Sequence, residues 1–434
     1  MRDSLVFPVA VKIFLINSGV KDRTVLKYVF GDRNKANYTW ILNSQSCTVL
    51  AMTNNDLGLE VNLNLERTKR RDGLIFVISM WFLSRSVIAI GMQIIAPLLY
   101  SNPALQQFQD LQPWAIPGFV PKSSWSLFSH WDGEWYTKIA TLGYTYADDG
   151  KQHSVAFYPL FPLLIRGLMA LGLPVEVSGV LINSLAFLGA LVLVYFWVEE
   201  RYDTGTAKWT TAVLAWCPFS LFCTVMYTEG LFLLLTTAAL RFFERGEYIL
   251  AAVCGALTTA TRGPGVALIP AFLLVAWREK KPKLAYFAGF AVAIGLLSFS
   301  LYCAIRFGEP LAFVRVQKTW DQPSWYNIFG EAVKLEKYAI SKVVMVFGGA
   351  CLLWFFRKRL SSVVLTYGFC SLGLLLYSGA LHSVNRYAYG VVSLSIALGL
   401  LLAARPRWGY ALMGLFTLFL LQFAIKFASW VWVA

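Results

Sequence analysis

A short acidic and aromatic stretch, SHWDGEWYTKIATLGYTYADDG, is the part of this chain best equipped for chemistry. If WDGEWYTKIA is helical, Asp132, Trp135 and Tyr136 share one face, because residues three and four apart lie on the same side of a helix. A carboxylate held between aromatic rings suits a general base or a ligand for a divalent cation. The alternative is an amphipathic helix whose aromatic side chains anchor it at a membrane surface, while Asp132 and Glu134 are only solvated.

Further ionisable residues stand near the ends of apolar runs: Glu229 in MYTEGLF, Arg262 in TRGPG and Arg386 in HSVNRYAYG. Charge at such a depth is costly, so these side chains usually face a cavity or a partner. The planar guanidinium of arginine suits a phosphate. The alternative is that each side chain extends to the membrane surface and binds nothing. His153 and His382 fit hydrogen-bonding surface positions better than metal ligation.

The composition indicates a membrane protein. Of 434 residues, 57% are hydrophobic and only 14% are charged, whereas soluble domains are usually about 25% charged. The mean hydropathy is +0.57. The net charge of +14 is spread over short basic clusters between apolar runs, which argues against the single basic stripe of a nucleic-acid-binding protein.

Several enzyme classes lack their sequence signature here. The chain has no GxxxxGK[ST], GxGxxG or HExxH motif, which weighs against a membrane ATPase, a nucleotide-sugar enzyme of the Rossmann type and a zinc protease. The seven cysteines show no CxxC spacing and predict neither a disulfide framework nor a metal site. A sugar donor, if there is one, is expected to be lipid-linked.

The basic segment KRRDG precedes the first apolar run and places its start in the cytoplasm by the positive-inside rule. Residues 101–156 and 306–338 are then outer loops, and the proline-broken run AFYPLFPLLIRGLMALGLP is expected to lie in the interface or re-enter the membrane. The chain is therefore predicted to be an all-α polytopic membrane protein with about eleven transmembrane helices. These are expected near residues 74–100, 178–198, 207–225, 228–243, 248–262, 265–277, 284–305, 339–357, 361–380, 386–404 and 408–428.

The domain prediction separates residues 1–72 from a transmembrane domain at residues 73–434. The first segment is mixed and polar and holds no long apolar run. Either a start codon assigned too far upstream or a small cytoplasmic extension would explain it. No function is assigned to it.

The string FSHWDGEWYTKIATLGYTY followed by VAFYPLFPLL resembles the signature of the PIG-V family, the GPI mannosyltransferase 2 type, including its bacterial members. The strings CPFSLFCTVMYTEGLF, TATRGPGVALIP, RFGEPLAFVRVQKTW and NRYAYGVVSLSIALG agree with it in order. The resemblance covers roughly residues 74–404. It implies a GT-C glycosyltransferase fold, with interfacial helices and a catalytic carboxylate in the first outer loop. It also implies a polyprenyl-phosphate mannose donor and inversion at the anomeric carbon.

On this resemblance Asp132 corresponds to the acidic residue of the family, as a base or a metal-linked carboxylate. Where relatives often read RSNG, this chain has RGPG from Arg262 to Gly265, which puts substrate contacts there in doubt. A leaving phosphate needs cations, and Arg262, Arg386 and Lys318 could supply them. The substrate-binding residues predicted in total are Glu134, Trp135, Tyr136, Tyr227, Glu229, Arg262, Gln317, Lys318, Trp320 and Arg386.

The leading hypothesis is therefore a membrane transferase that moves mannose, or a related hexose, from a polyprenyl-phosphate donor to a lipid or glycolipid acceptor on the non-cytoplasmic face. The site would lie in the plasma (inner) membrane of a bacterium or the endoplasmic reticulum membrane of a eukaryote. No cofactor is predicted, and a divalent metal at Asp132 is left open. The alternative is a transporter or lipid flippase, which predicts ionisable residues near the bilayer midplane and an internal repeat.

Overall fold

The computed structural model describes residues 14–16, 24–27, 38–42, 49–110, 116, 118–320, 325–378 and 383–433. Contacts divide the chain into two compact units, Met1–Ile75 and Phe76–Ala434. His382, a candidate from the sequence, lies outside the described residues.

The first unit contains a small antiparallel sheet that the sequence analysis did not predict. Its strands follow one another in the order of the chain, as consecutive hairpins do. They are rich in Val, Ile, Thr, Tyr and Trp, which favour extended structure. The all-α expectation therefore holds for the described residues from Asn54 onward and not for this unit. The strands are β1 Phe14–Ile16, β2 Thr24–Lys27, β3 Tyr38–Leu42 and β4 Val49–Thr53.

The described residues from Asn54 onward form α-helices joined by short turns. The helices are α1 Asn54–Ile90, α2 Ala96–Tyr100, α3 Pro103–Asp110, α4 Asp132–Leu142, α5 Leu160–Ala170, α6 Val175–Arg201, α7 Thr204–Trp216, α8 Glu229–Arg245, α9 Tyr248–Thr261, α10 Leu268–Arg278, α11 Lys283–Ala291, α12 Ile294–Phe307, α13 Ala312–Gln317, α14 Trp325–Val333, α15 Lys337–Val343, α16 Gly349–Phe355, α17 Ser362–Ser378, α18 Val384–Tyr389, α19 Val392–Ala404 and α20 Pro406–Ala428. Single π turns join α1 to α2 at Gly91–Ile95 and α15 to α16 at Val344–Gly348, and 3-10 turns occupy Trp125–Ser129, Ser154–Ala156, Pro218–Cys223 and Gly263–Ala267.

Four helical segments in the described part of the chain are long and apolar enough to cross a membrane: Arg67–Tyr100, Val175–Arg201, Lys283–Phe307 and Pro406–Ala428. Large apolar side chains point outward along them; Leu98, for example, is 69% exposed. A surface of this kind is stable only in an apolar solvent. The chain is thus an integral membrane protein. Six further apolar helices are shorter, and the count of about eleven spans stays a prediction.

Two helices, α4 within the predicted first outer loop and α5 directly after it, have eleven residues each. At 1.5 Å per residue each is about 16 Å long, well short of the roughly 30 Å hydrocarbon core. Their lengths suit the interfacial position that the sequence predicts.

Small residues allow the central helices to approach closely. α6 packs against α7 and α8, α7 packs against α19, and α8 packs against α9. A side chain at Gly295 would collide with the backbone of α9, and one at Gly399 would collide with Thr210 of α7. Contacts between small residues are the usual means by which helices associate in a membrane, where burial of apolar surface gives no driving force.

Proline and glycine end several helices where the candidate residues lie. The expectation of one helix over residues 207–225 was wrong: α7 ends at Trp216 and Pro218 starts a 3-10 turn, because proline lacks the N–H that the next helical turn needs. The span expected at 386–404 is likewise divided into α18 and α19 at Gly390. These breaks leave polar backbone and side chains at helix ends inside the protein.

Candidate active site

Asp132 is the first residue of α4, and the loop before it is held by backbone contacts. The backbone N–H of Met226 donates to the Phe128 carbonyl at 2.8 Å, and the N–H of Asp132 donates to the Tyr227 hydroxyl at 3.3 Å. Trp131, immediately before Asp132, has a φ of 58°, a conformation that non-glycine residues rarely adopt. Strain of this kind persists only where the surroundings over-determine it, which often occurs at functional sites.

Asn183 of α6 fixes the turn that carries Tyr227 and Glu229. Its side-chain amide donates to the carbonyls of Phe222 at 2.7 Å and Val225 at 2.8 Å. Its side-chain oxygen accepts from the backbone N–H of Gly230 at 2.8 Å. A Cβ at position 230 would collide with the Asn183 backbone carbonyl, so the close approach of α8 to α6 requires glycine there.

Four charged side chains from distant parts of the sequence form a continuous row of ion pairs in which acidic and basic groups alternate. This row, in the order Asp132, Arg386, Glu229 and Arg262, is here called the ion-pair chain. Arg386 Nη1 lies 2.7 Å from Asp132 Oδ2, and Arg386 Nε lies 3.3 Å from Glu229 Oε1. Arg262 pairs with the same Glu229 oxygen through its Nη1. Two carboxylates therefore neutralise two guanidinium groups in this structure.

Exposure falls along the ion-pair chain from Asp132 inward. The Asp132 side chain is 26% exposed, whereas those of Arg386, Glu229 and Arg262 are 5%, 1% and 11% exposed. Burying such charges is tolerable only when each has a partner. Asp132 is thus the member that a ligand would meet first.

Aromatic rings enclose both arginines. The Arg386 guanidinium lies 5.2 Å from the Tyr227 ring centroid and 5.5 Å from that of Tyr387. The Arg262 guanidinium lies 4.8 Å from the Tyr387 centroid. Contact between a cation and a ring face is attractive and is stronger where water is excluded. Tyr387, which sequence reasoning did not select, separates and orients the two cations.

The second outer segment packs against the first near α4. Trp135 stacks on Phe157 with ring centroids 5.7 Å apart, and Trp320 approaches Trp135 at 6.4 Å. The Gln317 amide donates to the Ala156 carbonyl at 3.1 Å. The aromatic wall of Trp135, Phe157 and Trp320 therefore joins two of the loops that the sequence predicts on one membrane face.

The other candidates are not members of the ion-pair chain. Tyr136 is buried against Phe161, with ring centroids 5.0 Å apart, and lies within electrostatic range of Asp132, Arg262 and Glu229. Glu134 and Lys318 are exposed, and neither forms an ion pair among the described residues. Gln317, also exposed, binds backbone, so its contact in this structure is between loops.

The remaining acids of the first loop pair within the loop region. Asp149 Oδ1 lies 2.8 Å from His153 Nε2, and this hydrogen bond lowers the pKa of Asp149. Asp148 Oδ2 lies 3.4 Å from Arg315 Nη1. No group of three or more His, Cys, Asp or Glu side chains arranged for a metal ion occurs among the residues with described positions.

Residues at the far end of the sequence also support Asp132, and no sequence signal indicated them. Trp430 stacks on His130 with centroids 4.3 Å apart and lies 5.3 Å from the Trp131 centroid. His130 Nδ1 is 3.0 Å from the Phe427 carbonyl oxygen. Burial lowers the pKa of His130 to about 4, so the ring is neutral at neutral pH and acts as packing.

Arg85 of α1 is a further buried cation that the sequence analysis did not select. Its guanidinium donates to the Ser220 carbonyl at 2.8 Å, the Thr224 hydroxyl at 2.6 Å and the Ala215 carbonyl at 3.1 Å. These groups line the break between α7 and the turn that leads to Glu229. Arg85 satisfies carbonyls that the interrupted helix leaves unpaired.

An apolar cavity of about 480 Å³ lies between the C-terminal end of α4 and the helices α5, α9 and α12. Ile139 of α4, Leu163 of α5, Leu257 of α9 and Phe299 of α12 are among its lining side chains. Arg166 of α5 donates to the carbonyls of Ala140 at 2.8 Å and Ile139 at 3.0 Å. It joins α5 to the end of the helix that begins with Asp132.

Comparison with known proteins places the chain among mannosyltransferases. The family model described as Mannosyltransferase (PIG-V) matches residues 74–313, more than half of the chain. The Homo sapiens protein named GPI alpha-1,6-mannosyltransferase 2 is 31% identical over 159 residues, 32% of this chain and 30% of that protein. The Cricetulus griseus protein of that name is 30% identical over 239 residues, 45% of this chain and 47% of that protein. The matched part thus spans less than half the length of these relatives.

Among solved structures, ArnT from Cupriavidus metallidurans bound to undecaprenyl phosphate covers 78% of this chain and 62% of its own, with 14% identity and a TM-score of 0.48. A likeness at this level adds nothing to the assignment. The match of the family model over residues 74–313, with Asp132, Glu229 and Arg262 inside it, confirms the resemblance predicted from the sequence. The chain belongs to the PIG-V mannosyltransferase family.

Proposed function

We propose that this protein is an inverting membrane mannosyltransferase. It moves a mannosyl or related hexosyl residue from a polyprenyl-phosphate donor to a lipid or glycolipid acceptor on the non-cytoplasmic face. Asp132 is the base, Arg386 and Arg262 bind the donor phosphate, and Glu229 orients both arginines. The proposal rests on membership in the PIG-V family and on the geometry of the ion-pair chain.

The observation that carries the proposal is the direct contact between Asp132 and Arg386. Inverting sugar transfer from a phosphate needs a proton acceptor on one side of the anomeric carbon and a cation at the leaving phosphate on the other side. A site that already holds both kinds of group can stabilise the transition state electrostatically. Asp132 and Arg386 are such a pair, in contact at 2.7 Å in the free protein, and they would separate when the sugar and phosphate bind.

In the reaction the acceptor hydroxyl gives its proton to the Asp132 carboxylate, and its oxygen forms a bond to the anomeric carbon. The bond between that carbon and the phosphate oxygen breaks, and its electron pair stays on the phosphate. Attack from the face opposite the phosphate inverts the configuration. Arg386 and Arg262 stabilise the negative charge that develops on the leaving phosphate.

The pairing of Asp132 with Arg386 gives the donor a further role. In the free protein Asp132 Oδ2 is occupied by Arg386 Nη1 at 2.7 Å. Phosphate oxygens offer Arg386 an alternative partner, so donor binding would release Asp132 for proton transfer. Glu229, 1% exposed, keeps Arg386 in place during this exchange.

The apolar cavity beside α4 suits the polyprenyl chain of the donor. Its lining is mostly aliphatic and aromatic, and it is bounded by α4, whose first residue is Asp132. A prenyl chain in this cavity would contribute binding energy far from the reacting carbon, which an enzyme can use to position the sugar. The half-buried aromatic wall around Trp135 offers a surface for sugar rings.

The experiment compares Asp132→Asn with wild type in purified protein, using labelled polyprenyl-phosphate mannose and a membrane extract as the acceptor source. Loss of general-base catalysis typically costs about 10²- to 10⁴-fold, so transfer should fall by about that factor. Asp148→Asn is the matched control: it neutralises another acid of the same loop, one that pairs with Arg315, and should leave transfer near wild type. Full activity in Asp132→Asn would refute the base. Absence of transfer in wild type, with lipid movement across vesicles instead, would favour the transporter alternative.

A further inference from the structure

A second cavity, lined by charged and aromatic side chains, lies at the other end of the helix that begins in the ion-pair chain. α8 starts at Glu229 and ends at Arg245, about 24 Å away along the helix axis. Arg245 lines a cavity of about 620 Å³ together with Arg201, at the end of α6, and Arg359, in the turn between α16 and α17. The volume is within the range of sites that hold small ligands.

The carboxylates at this cavity are already engaged. Glu200 Oε2 lies 2.9 Å from Nη2 of both Arg241 and Arg245. Glu244 Oε1 lies 3.1 Å from Arg201 Nη1. Three guanidinium groups, those of Arg201, Arg245 and Arg359, and two carboxylates line the cavity, so its lining has an excess of positive charge.

Arg359 is the arginine of this group without an ion pair in the described part of the chain. Its own carbonyl accepts from the Tyr202 hydroxyl at 3.1 Å, which fixes the turn beside α6. Asp203, the next acid along the chain, is used to cap α7, with hydrogen bonds of 2.8 and 2.7 Å from Thr206. Asp203 lies within electrostatic range of Arg359 but forms no ion pair with it among the described residues, so the guanidinium of Arg359 lines the cavity without a directly bound carboxylate.

The position of the cavity indicates the kind of anion. It lies among the ends of membrane helices, at the end where the basic clusters of the sequence gather, and this is the cytoplasmic side by the positive-inside rule. The cytoplasmic leaflet is rich in anionic phospholipids. Trp197 and Tyr202 also line the cavity, and such rings favour the headgroup region.

We propose that this cavity binds a phosphate-bearing anion through Arg359, Arg245 and Arg201, and that the headgroup of an acidic phospholipid is its source. Planar guanidinium groups match phosphate oxygens in geometry and charge. The bound headgroup would connect the ends of α6 and α8 with the turn before α17. This site is separate from the ion-pair chain and independent of the proposed transfer reaction.

The test measures thermal unfolding of the purified protein in neutral detergent with added phosphatidylglycerol or phosphatidylcholine, and with water-soluble glycerophosphate. Phosphatidylglycerol should raise the Tm of wild type saturably. Arg359→Gln should need at least about ten-fold more lipid for the same rise in Tm, because a hydrogen bond to a charged group is worth about 1.5–3 kcal/mol. Arg359→Lys keeps the charge, so the lipid concentration that it needs should lie between those of wild type and Arg359→Gln.

The matched control is Arg357→Gln, which removes the same charge two residues away. Arg357 is exposed and stacks on Trp354 at 4.3 Å, outside the cavity, so its response should equal that of wild type. If glycerophosphate alone reproduces the stabilisation and Arg359→Gln weakens it, the phosphate site stands and its source is a soluble compound. Equal responses of Arg359→Gln and Arg357→Gln in every condition would overturn the proposal. No activity is measured, so neither result bears on Asp132.

Discussion

Replacing Arg386 by lysine tests whether one planar group must hold two carboxylates at once. Arg386 uses Nη1 for Asp132 and Nε for Glu229, two nitrogens with fixed relative positions. Lysine keeps the positive charge but has a single nitrogen on a flexible chain. It can retain one of these partners but not both in the same geometry.

The expected loss follows from the contacts. The contact of Arg386 with Asp132 is a hydrogen bond between charged groups, worth about 1.5–3 kcal/mol, whereas its contact with Glu229 is an ion pair only. About 1.4 kcal/mol corresponds to a factor of ten in rate. If the lost contact is needed in the transition state, kcat/KM for the donor should fall about 10- to 150-fold. Tm should fall less, because Glu229 keeps Arg262 as a partner.

The assay measures initial rates of transfer from labelled polyprenyl-phosphate mannose over a range of donor concentrations, with Tm measured on the same preparations. Arg315→Lys is the matched control, since Arg315 also joins two acids, Asp148 at 3.4 Å and Glu309 at 2.9 Å. Its side chain is 53% exposed, and ion pairs in water contribute only about 0–1 kcal/mol. Equal kcat/KM for Arg386→Lys and Arg315→Lys, or wild-type activity in Arg386→Lys, would refute the reasoning.

Three further predictions concern the surroundings of the site. Gly230→Ala should lower both Tm and transfer activity, because the new methyl group collides with Asn183. Gly167→Ala is the control: its methyl group meets nothing within 4 Å, so thermal unfolding and transfer assays should give wild-type values. Trp430→Ala should destabilise the loop before Asp132 by about 0.5–1.5 kcal/mol for each aromatic pair lost. The loss should appear as lower protection of residues 118–131 in hydrogen exchange. Unchanged protection of these residues would show that Trp430 does not support the loop. Burial lowers the pKa of His130 from 6.5 to about 4, so the contribution of His130 to stability is complete above pH 6.5 and is lost as the pH falls towards 4. The Tm of His130→Gln should therefore depend less on pH between 6.5 and 4 than the Tm of wild type. Parallel curves of Tm against pH for the two proteins would contradict the prediction.

Much of the fold follows from local sequence. Apolar runs of membrane length with basic breaks predict helices in a bilayer, because an isolated chain in hydrocarbon must satisfy its backbone internally. The break of α7 at Pro218 was also readable, since proline cannot continue a helix, although the sequence analysis treated residues 207–225 as continuous. The strands before Asn54 were missed because they are short and lack a strong alternating pattern.

For the candidate site, the sequence identified single residues, whereas their contacts depended on the tertiary structure. Asp132, Glu229, Arg262 and Arg386 could each be selected from the sequence, since a charge at the end of an apolar run usually has a partner. The sequence could not show that Arg386 joins Asp132 to Glu229. Arg386 is 254 positions from Asp132 and 157 from Glu229, and their contact depends on how several helices pack. Arg85, Asn183 and Trp430 had no local signal for the same reason: each binds backbone or rings that only the folded chain brings near.

The sequence by itself determined a membrane protein of the PIG-V type with Asp132 in an acidic and aromatic segment, because hydropathy and short motifs are local properties. The tertiary structure alone decided how the charges of the site are paired. It places each carboxylate beside a guanidinium, leaves Asp132 as the most exposed of the four charged side chains, and buries most of the other three. The physical reason is that a buried charge is stable only beside its partner, and partners distant in sequence meet only through packing.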